Sequence, residues 1–370
     1  MNLTLHITNK CNLACDYCFV PHGEISMTKE IAFKAIDIAM QGNKSTGILF
    51  YGGEPLLERQ LIYDVVAHCD KVTKETGHKF SYKITTNGVL LDEEFLLFSN
   101  KINMAIGLSC DGPAQDVCRL FSNKNKTFDI LKTKIPLLLK YHPYAVGLSV
   151  LHPTTVHQAT DIAKFLIEQG FKYISMNVNY SPNAGWTKKH FEVLEKEYKK
   201  IAKMYEKWTN DEQKIYFAPF DAKILSHLKG EKYHADRAVM NREQPSIAPD
   251  GTIYSMSKYI DQRDFAIGDV FSGFDEIKRK HFEKAANIIP DSCKNCALNL
   301  RCNYMYSNLG FDGNNFYSDI FPTQCAHEQM LTPIADSLAQ KLYKKRNALF
   351  IHKHYNDFYS VISKAEDGEI

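Results

Sequence analysis

The sequence lacks a long apolar run. No stretch approaches the ~18 uninterrupted apolar residues that a transmembrane helix needs, and residues 1–6 lack the charged-then-apolar order of a secretory signal. We therefore expect a cytoplasmic protein with no membrane partner. Its ten cysteines would then be metal ligands or buried thiols rather than disulfides, because the cytoplasm keeps thiols reduced.

The sequence also lacks an excess of charge of either sign. Its 45 Lys and Arg residues nearly balance 43 Asp and Glu residues, which gives a net charge of +2. Dedicated nucleic-acid binders usually carry a strongly basic balance, so that class is disfavoured. The 370 residues, 44% of them hydrophobic, are enough for one large enzyme domain and a smaller one.

Short strand patterns alternate with helical patterns through the first part of the chain. Apolar residues recur at helical spacing over 28–41 and 155–169, and a charged helix is predicted over 188–208. This alternation predicts βα units, a parallel sheet and right-handed crossovers. With six strands rather than eight, we expect an α/β fold that forms a partial (β/α)6 barrel of TIM type. The predicted strands cover residues 3–8, 47–52, 80–86, 104–109, 144–150 and 173–179.

The strand–helix alternation is predicted to stop after about residue 214. Asp250 and Gly251 then predict a tight hairpin turn between 247–248 and 252–254. A helical tail is expected from about residue 329. The basic and aromatic stretch 341–353 within it is consistent with a solvated helix face or with a docking site for an acidic partner.

Three cysteines follow directly on the first predicted strand. Cys11, Cys15 and Cys18 have the spacing C-x3-C-x2-C, which lets three thiolates bind one face of an iron–sulfur cubane. A [4Fe–4S] cluster normally has four cysteine ligands, so three leave one iron open for chemistry. Structural zinc would need a fourth ligand, and the nearby candidate His22 stands beside turn-forming Pro21. The loop also lies at the carboxyl end of a strand, where barrels of this type carry their active sites.

This motif, with Phe19 after it, resembles the signature of the radical S-adenosylmethionine (radical SAM) superfamily. The resemblance covers roughly residues 1–215. It implies that a [4Fe–4S] cluster on Cys11, Cys15 and Cys18 cleaves S-adenosylmethionine reductively. The resulting 5′-deoxyadenosyl radical would abstract a hydrogen atom from the substrate, with the electron supplied by a flavodoxin- or ferredoxin-type donor.

The end of the second predicted strand resembles the GGE motif of the same family. By this resemblance, Gly52, Gly53 and Glu54 would bind the amino group of the methionine moiety. Glycines permit a close backbone approach, and a carboxylate suits an ammonium. Tyr17, beside the last cysteine of the motif, would pack near the adenine.

The ends of the third and fourth predicted strands resemble two further family segments. Thr86 and Asn87 match the TNG segment, and Ser109 and Asp111 match the S-x-DGP segment; both would face the ribose and carboxylate of the cofactor. Ordinary turn chemistry is the alternative for each of these residues. Arg119 matches the carboxylate-binding arginine, although the family usually carries His-Asp before it and this chain carries Asp-Val-Cys.

Four cysteines form a second group near the C-terminus. Their spacing alone allows zinc or an iron–sulfur cluster about equally. No cysteine lies between residues 119 and 292. The members of the group are Cys293, Cys296, Cys302 and Cys325.

The second group resembles the SPASM extension of radical SAM enzymes. That extension has the core spacing C-x2-C-x5-C-x3-C and one more cysteine after a gap, and in full it holds two auxiliary [4Fe–4S] clusters. Here Tyr306 replaces the x3 cysteine, Met256 replaces the cysteine after the hairpin, and two more upstream are missing. All four missing ligands belong to the first auxiliary cluster. The resemblance therefore implies one fully ligated auxiliary cluster, for electron transfer or structural support.

Relatives with this extension mostly modify peptides or proteins. They include maturases of ribosomally made peptides, which form thioether or C–C crosslinks, and sulfatase-maturing enzymes, which oxidise Cys or Ser to formylglycine. Sulfatase-maturing relatives carry Asp directly after the hairpin cysteine, where this chain has Met256 and Ser257. We therefore predict an oxidoreductase that matures a peptide or small protein. The alternatives are a sulfatase-maturing enzyme, an enzyme acting on a small molecule and a non-catalytic iron–sulfur electron carrier.

The predicted organisation has three parts. A barrel covers 1–215, a SPASM-like domain covers 216–335 and a helical tail covers 336–370. Because the cysteine motif begins at residue 11, we expect a leader-binding protein, where one is used, to be a separate chain. Three aromatic residues would line the substrate pocket or pack in the core: Tyr180, Trp186 and Tyr216.

Overall fold

The computed structural model describes residues 1–230, 244–286, 288–302, 309–311, 316–318 and 320–367. Tyr306, at the place of an expected cysteine, lies outside these residues, as does the end of the predicted tail at 368–370. Among the described helices, none combines the length and the apolar content that crossing a membrane requires.

Strands and helices alternate from the N-terminus. The strands are β1 (Leu3–Thr8), β2 (Ser45–Gly52), β3 (Lys79–Thr86), β4 (Ala105–Ser109), β5 (Val146–Leu151), β6 (Tyr173–Val178), β7 (Tyr216–Phe217), β8 (Ser246–Ile247), β9 (Thr252–Tyr254), β10 (Ala266–Asp269), β11 (Gly273–Phe274), β12 (Leu309–Phe311) and β13 (Phe316–Ser318). The helices are α1 (Lys29–Met40), α2 (Arg59–Thr76), α3 (Glu93–Lys101), α4 (Gln115–Cys118), α5 (Phe128–Tyr141), α6 (Ala159–Glu168), α7 (Lys188–Asn210), α8 (Ala218–Lys229), α9 (Glu276–Ala286), α10 (Asp291–Lys294), α11 (Pro322–Lys344), α12 (Ala348–Tyr355) and α13 (Tyr359–Glu366).

Eleven strands form one sheet in the order β11-β10-β9-β8-β1-β2-β3-β4-β5-β6-β7. The strands from β1 to β7 pair in parallel with their neighbours. All six predicted strands are present, each within two residues of its predicted ends. The predicted α/β fold with a parallel, partial-barrel sheet is therefore confirmed.

The strand–helix alternation does not stop at residue 214, and that prediction was wrong. β7 pairs in parallel with β6, and α8 follows at once. The strand has only two residues, Tyr216 and Phe217, which is too short to show a period-2 pattern. The helix behind it therefore continues the barrel wall.

The predicted hairpin is present beside the first strand. Ile247 pairs with Ile253 in antiparallel register, and Gly251 in the turn has a φ of 93°, which glycine adopts readily. The strand β8 also pairs in parallel with β1, where Thr4 lies opposite Ser246. The hairpin thus extends the barrel sheet, and β1 is an interior strand.

Alternate residues of the central strands lie on opposite faces of the sheet. In β2, Ile48 and Phe50 are buried, whereas Leu49 and Tyr51 are half-buried on the other face. The buried face packs with residues such as Ile36 of α1 in the main core. Burial of each such side chain contributes about 1.5–3 kcal/mol to the stability of the fold. This packing attaches the sheet to its helices on one face, and the opposite face is available for the site.

The C-terminal helices pack back onto the barrel. α11 begins at Pro322, earlier than the predicted tail, and packs against α7 and α8. Lys341 and Lys345 both pair with Glu206 of α7, and Lys353 pairs with the buried Asp221 of α8. Five of the six residues 341–346 are exposed, so this part of the stretch is a solvated helix face, as one of the two alternatives predicted, whereas Lys353 is held against α8.

Candidate functional site

The first cysteine loop follows β1 at the carboxyl edge of the sheet. Cys11 and Cys15 are half-buried and Cys18 is exposed. The Cys18 N–H donates to the Cys15 carbonyl at 3.1 Å, and the Leu13 N–H donates to Cys11 Sγ at 3.4 Å. Leu13 also forms a β-bridge with Phe121. Backbone contacts thus give this loop its shape and attach it to the segment after β4.

The turn after β2 lies directly against the cysteine loop. The Gly53 N–H donates to the Thr8 carbonyl at 2.7 Å, and the Glu54 N–H donates to the Lys10 carbonyl at 2.8 Å. A Cβ added to Gly53 would lie 2.0 Å from the Lys10 oxygen, and one added to Gly52 would lie 2.4 Å from the Thr8 oxygen. The close approach that these glycines permit is to the cysteine loop. Their contact with the methionine moiety stays a prediction.

Glu54 connects the turns that follow β2 and β3. Its buried carboxylate accepts hydrogen bonds from the Leu56 N–H at 3.0 Å, the Thr86 hydroxyl at 2.7 Å and the Asn87 N–H at 2.7 Å. Burial raises the pKa of Glu54 to about 7, although these donors oppose the rise. A carboxylate has roughly four lone-pair sites, so one more donor, such as an ammonium, fits this group.

Asn87 reaches from the β3 turn to the cysteine loop. Its Nδ2 donates to Asn12 Oδ1 at 2.7 Å and lies 4.0 Å from Cys11 Sγ. Ser109, the last residue of β4, is half-buried at the same edge of the sheet. The motifs of β1, β2 and β3 thus meet in one hydrogen-bonded group, as the parallel strand order predicts.

Asp111, Arg119 and Tyr17 form a buried polar cluster beside the cysteine loop. Arg119 Nε donates to Asp111 Oδ2 at 2.8 Å, and the Tyr17 hydroxyl donates to the same oxygen. The Arg119 guanidinium also lies 5.1 Å from the centroid of the Tyr17 ring. Arg119 and Asp111 therefore neutralise each other in this structure, and any ligand carboxylate would share the guanidinium with Asp111.

Arg119 also interacts with the Cys15 thiol. Burial raises the pKa of Cys15 to about 11, and the nearby guanidinium opposes this rise. Burial likewise raises the pKa of Cys11 to about 12. Metal binding requires thiolates, so a cluster bound here must displace these protons, and Arg119 favours that loss at Cys15.

Two aromatic residues that the motifs did not include lie beside the cysteine loop. Tyr51 of β2 stacks with Phe19 at a centroid distance of 6.1 Å and meets His6 of β1 edge-on at 5.1 Å. Burial raises the pKa of Tyr51 to about 12 and lowers that of His6 to about 3. The sequence signal for His6 is its place as a histidine within an otherwise apolar strand.

The second set of cysteines comes from three segments of the chain. Cys293 lies in α10, Cys296 and Cys302 lie in the loop after it, and Cys325 lies in α11. All four line one small cavity together with Ile320. Four thiol donors around one cavity are a donor set that suits an iron–sulfur cluster or zinc.

Neither set of cysteines has the geometry of a single-ion site. Among the residues that the structure describes, no three Cys, His, Asp or Glu side chains converge closely enough to bind one metal ion. In a [4Fe–4S] cluster each cysteine binds a different iron, so a cluster does not require that convergence. The thiol donors of both sets fit the cluster chemistry.

Buried ion pairs attach the second set to the barrel. Lys223 of α8 pairs with Glu328 of α11, and both side chains are almost fully buried. The Lys223 ammonium also donates to the carbonyl of Arg301, the residue before Cys302, at 3.1 Å. Arg301 donates two hydrogen bonds to Asp336, at 2.6 and 2.8 Å. The loop that carries Cys302 and the helix α11 are therefore fixed to the barrel through α8.

His327 provides a further contact between α11 and the barrel. Its Nδ1 lies 2.7 Å from the Tyr180 hydroxyl, and its Nε2 lies 3.2 Å from the Tyr198 hydroxyl. Burial lowers the pKa of His327 to about 3, so the ring is neutral and donates to one phenol while it accepts from the other. Tyr180 and Trp186 pack against the main core, and Tyr216 lines a cavity beneath α12 and α13.

Comparison with known protein families identifies the N-terminal part of the chain. Residues 5–166 match the model of the radical SAM superfamily. They form a radical SAM domain. For these residues the superfamily implies a [4Fe–4S] cluster and S-adenosylmethionine. The predicted resemblance to the radical SAM superfamily is confirmed.

Curated relatives extend the likeness beyond the radical SAM domain. The chain is 25% identical over 316 residues to a cysteine-type anaerobic sulfatase-maturating enzyme of Clostridium novyi, which covers 78% of this chain and 83% of the relative. It is 31% identical over 180 residues to the uncharacterized protein MJ0907 of Methanocaldococcus jannaschii, over 48% of this chain. That second match spans 62% of the archaeal relative, less than two thirds of its length.

Solved structures share the fold of most of the chain. Native anSMEcpe with bound AdoMet has a TM-score of 0.74 at 18% identity and covers 92% of this chain and 99% of its own. SuiB of Streptococcus suis bound to the precursor peptide SuiA has a TM-score of 0.59 at 16% identity and covers 82% of this chain and 72% of its own. The part after the radical SAM domain shares the fold of these structures, and its assignment as a SPASM-like extension stays a prediction. Its boundary at residue 215 stays a prediction.

Proposed function

We propose that this radical SAM enzyme matures a ribosomally made peptide and installs a crosslink such as a thioether or a C–C bond. The observation that carries the proposal is the hydrogen-bonded group in which Glu54 and Asn87 join the Cys11–Cys18 loop to two strand ends. That group provides a cysteine set for a cluster, with a buried carboxylate beside it. The cysteine set and the carboxylate both lie at the carboxyl edge of the barrel sheet, where a peptide substrate would reach them.

In this proposal each residue of the group has a defined part. Cys11, Cys15 and Cys18 hold the first cluster, and Glu54 accepts the ammonium of the methionine moiety at its remaining lone-pair site. Tyr17 packs near the adenine. The other residues that shape the cofactor site are Gly52, Gly53, Thr86, Asn87, Ser109, Asp111 and Arg119.

The second cysteine set holds one auxiliary [4Fe–4S] cluster in this proposal. Its four thiols around one cavity provide complete cysteine ligation, which leaves no iron open to substrate. When bound, the first cluster and S-adenosylmethionine supply the radical that removes a hydrogen atom, and the auxiliary cluster accepts an electron. A thioether crosslink needs both, because the peptide loses one hydrogen atom, one electron and the thiol proton.

Two features support a peptide maturase over a sulfatase-maturing enzyme. The loop after the hairpin carries Met256 and Ser257 where the sulfatase-maturing resemblance has Cys and Asp. SuiB, which shares the fold, was solved with a precursor peptide. The second candidate, formylglycine formation, is favoured by the match to the Clostridium novyi enzyme over 83% of that enzyme's length.

The test uses the anaerobically reconstituted enzyme, S-adenosylmethionine, a reductant and a short peptide encoded beside the gene. We expect about eight irons per chain, four per cluster, formation of 5′-deoxyadenosine and a peptide mass lower by two hydrogens. The variant Cys15→Ser should lose 5′-deoxyadenosine formation and about half of the iron. The matched control Cys69→Ala changes a buried cysteine of α2 and should keep both.

Four outcomes would contradict the proposal. An unchanged peptide, with 5′-deoxyadenosine still formed, would reject the peptide substrate. About twelve irons per chain would reject the single auxiliary cluster, and about four irons with bound zinc would assign the second set to a structural site. Conversion of a sulfatase-derived cysteine peptide to an aldehyde would favour formylglycine formation.

A further inference from the structure

Asn177 of β6 lies on the inner face of the barrel sheet, which is the face opposite the surrounding helices. Ile174 and Met176 of the same strand are buried in the main core. Because side chains alternate along a strand, Ser175 and Asn177 lie on the other face. Asn177 is exposed there, whereas Ser175 is half-buried. The amide of Asn177 therefore faces the side of the sheet that is available for the site.

The strand register places Asn177 close to the buried polar cluster of Asp111, Arg119 and Tyr17. Asn177 is paired with Val150 of β5, and neighbouring strands lie about 4.8 Å apart. The Val150 N–H donates to Asp111 Oδ1 at 2.9 Å. Asn177 thus lies one strand away from a residue that holds the Asp111 carboxylate.

The segment after β5 also contacts the first cysteine loop. His152 follows β5 directly, and its Nδ1 lies 2.9 Å from Thr154 Oγ1. The same Thr154 oxygen lies 3.8 Å from Cys118 Sγ. The Cys118 carbonyl accepts the N–H of Asp16, in the cysteine loop, at 3.0 Å. The carboxyl end of β5, beside Asn177, is therefore joined to the loop that carries the first cysteine set.

The amide of Asn177 stands beside apolar side chains of the inner face. Val150 is its register partner, and Leu148 is paired with Ser175; both aliphatic side chains are half-buried. Asparagine is depleted in strands, so the sheet itself does not call for it here. Ligand sites are mostly apolar walls with a few polar groups that fix the orientation of the ligand. Asn177 has this setting.

Ser175 fixes the orientation of the Asn177 amide. Asn177 Nδ2 donates to Ser175 Oγ at 3.3 Å. A side-chain amide has two N–H donors and an oxygen with two lone pairs, so this bond uses one of the donors. The amide keeps the capacity to donate one more hydrogen bond and to accept from its oxygen side. One residue of an extended peptide offers the matching pair, a C=O and an N–H on the same side of its backbone.

We propose that Asn177 binds the backbone of the peptide substrate, with Nδ2 donating to the C=O and Oδ1 accepting the N–H of one residue. The inference rests on the proposed peptide-modifying function and adds a specificity-determining residue to that site. Such a contact recognises the backbone and not a side chain. It therefore holds a peptide at a fixed position beside the Asp111 cluster whatever residue is bound there, and a substrate without a secondary amide cannot form it.

The test measures peptide binding to the reconstituted holoenzyme without turnover, with S-adenosylhomocysteine bound and no reductant. The probe is the short peptide encoded beside the gene, labelled with a fluorophore, and its Kd is read by anisotropy. Asn177→Leu keeps the approximate shape of the side chain and should raise this Kd at least about tenfold, because two hydrogen bonds are lost. The matched control Asn43→Leu changes an exposed asparagine between α1 and β2 and should leave the Kd unchanged.

Peptides with a methylated backbone show whether Asn177 recognises the backbone. Each probe of the set carries one N-methyl amide, and the position is scanned along the peptide. At one position the methyl group should raise the wild-type Kd at least about tenfold, since it removes the N–H that Oδ1 accepts. In Asn177→Leu the same methyl group should change the Kd less than about twofold, whereas Asn177→Asp keeps an acceptor and should keep the penalty. Equal penalties in wild type and Asn177→Leu at every position would overturn the proposal.

Two further measurements separate peptide binding from other roles of Asn177. The Kd of S-adenosylmethionine should be the same in Asn177→Leu and wild type, and a rise in that Kd would assign the amide to the cofactor. The unfolding midpoint should also stay near that of wild type, because the side chain is exposed. A large fall in that midpoint with an unchanged peptide Kd would assign the residue a structural role and reject the binding role.

The result is distinguishable from failure of the proposed function. Peptide binding that depends on Asn177, in an enzyme that leaves the peptide unmodified, would keep the backbone contact and reject the peptide maturase. Peptide modification with an unchanged Kd and KM in Asn177→Leu would keep the maturase and reject the backbone contact. A wild-type holoenzyme that does not bind the peptide would overturn both.

Discussion

The two cysteine sites are held in place by different kinds of contact. The first is held by backbone hydrogen bonds between neighbouring strand ends, from Gly53 to Thr8 and from Glu54 to Lys10, together with the side chains of Glu54 and Asn87. The second is held by side-chain charges, with Lys223 bound to Glu328 across a separation of 105 residues. Backbone contacts tolerate most side-chain changes, whereas a buried ion pair fails when either partner is lost. We therefore expect the second site to be the more sensitive to single substitutions of charged residues.

The largest effect should follow from Lys223→Met. This change leaves the Glu328 carboxylate buried without its cation and should lower the free energy of unfolding by about 3–5 kcal/mol. It should also release about four irons, because Lys223 holds the loop of Cys302. Denaturant unfolding and iron analysis are the measurements.

Two further variants serve as controls for the Lys223→Met experiment. Lys345→Met breaks an exposed pair with Glu206 and should cost less than about 1 kcal/mol. Adding Glu328→Gln to Lys223→Met should restore part of the stability, since it removes the unpaired charge. A cost for Lys223→Met no greater than that of Lys345→Met would show that the ion pair does not hold the second site.

An intermediate effect should follow from Gly53→Ala. The added Cβ would meet the Lys10 carbonyl at 2.0 Å, and relief of that overlap should cost about 1–3 kcal/mol. Because the cysteine loop must move, iron should be lost from the first site and retained at the second. Gly23→Ala is the control, since its Cβ would meet only Asn9 Cβ at 3.7 Å. Wild-type iron content in Gly53→Ala would refute the role of this backbone contact.

The smallest effect should follow from Asp367→Asn in the C-terminal tail. Hydrogen bonds from Lys172, Tyr144 and Lys214 hold the pKa of Asp367 well below its usual value. The stability from this carboxylate is therefore present above about pH 4 and is lost as the pH falls toward the lowered native pKa. The side chain is partly exposed, so the variant should lose less than about 1 kcal/mol at pH 7.

Urea unfolding at pH 7 and at pH 3 measures the Asp367 effect. The difference between Asp367→Asn and wild type should shrink at the lower pH. The control Asp357→Asn changes an exposed residue between α12 and α13. It should leave the free energy of unfolding unchanged at both pH 7 and pH 3. A difference for Asp367→Asn that grows in acid would contradict the assignment of its partners.

The sequence predicted the strand framework and the first cysteine site well because their signals are local. Six strands of five or more residues carry enough alternation to be recognised. The motifs after β1, β2 and β3 could be grouped because the carboxyl ends of parallel strands meet at one edge. β7 was missed because two residues carry no periodicity.

Contacts between distant residues could not be predicted in this way. Nothing in the spacing shows that Arg119 reaches Cys15, or that Gly53 packs against the Lys10 carbonyl. The anchoring of the second site by Lys223 and Arg301 also depends on how α8 and α11 pack. Such contacts are set by tertiary packing, which a single sequence does not display.

The sheet ends in a two-residue strand on both sides, β11 on one and β7 on the other. A peptide that binds as an added strand needs a row of free backbone N–H and C=O groups along an edge. Neither β11 nor β7 offers such a row by itself. β7 pairs with only the first two residues of β6, so residues 175–178 of β6 extend past it, and a peptide that adds a strand on this side of the sheet would have to pair there.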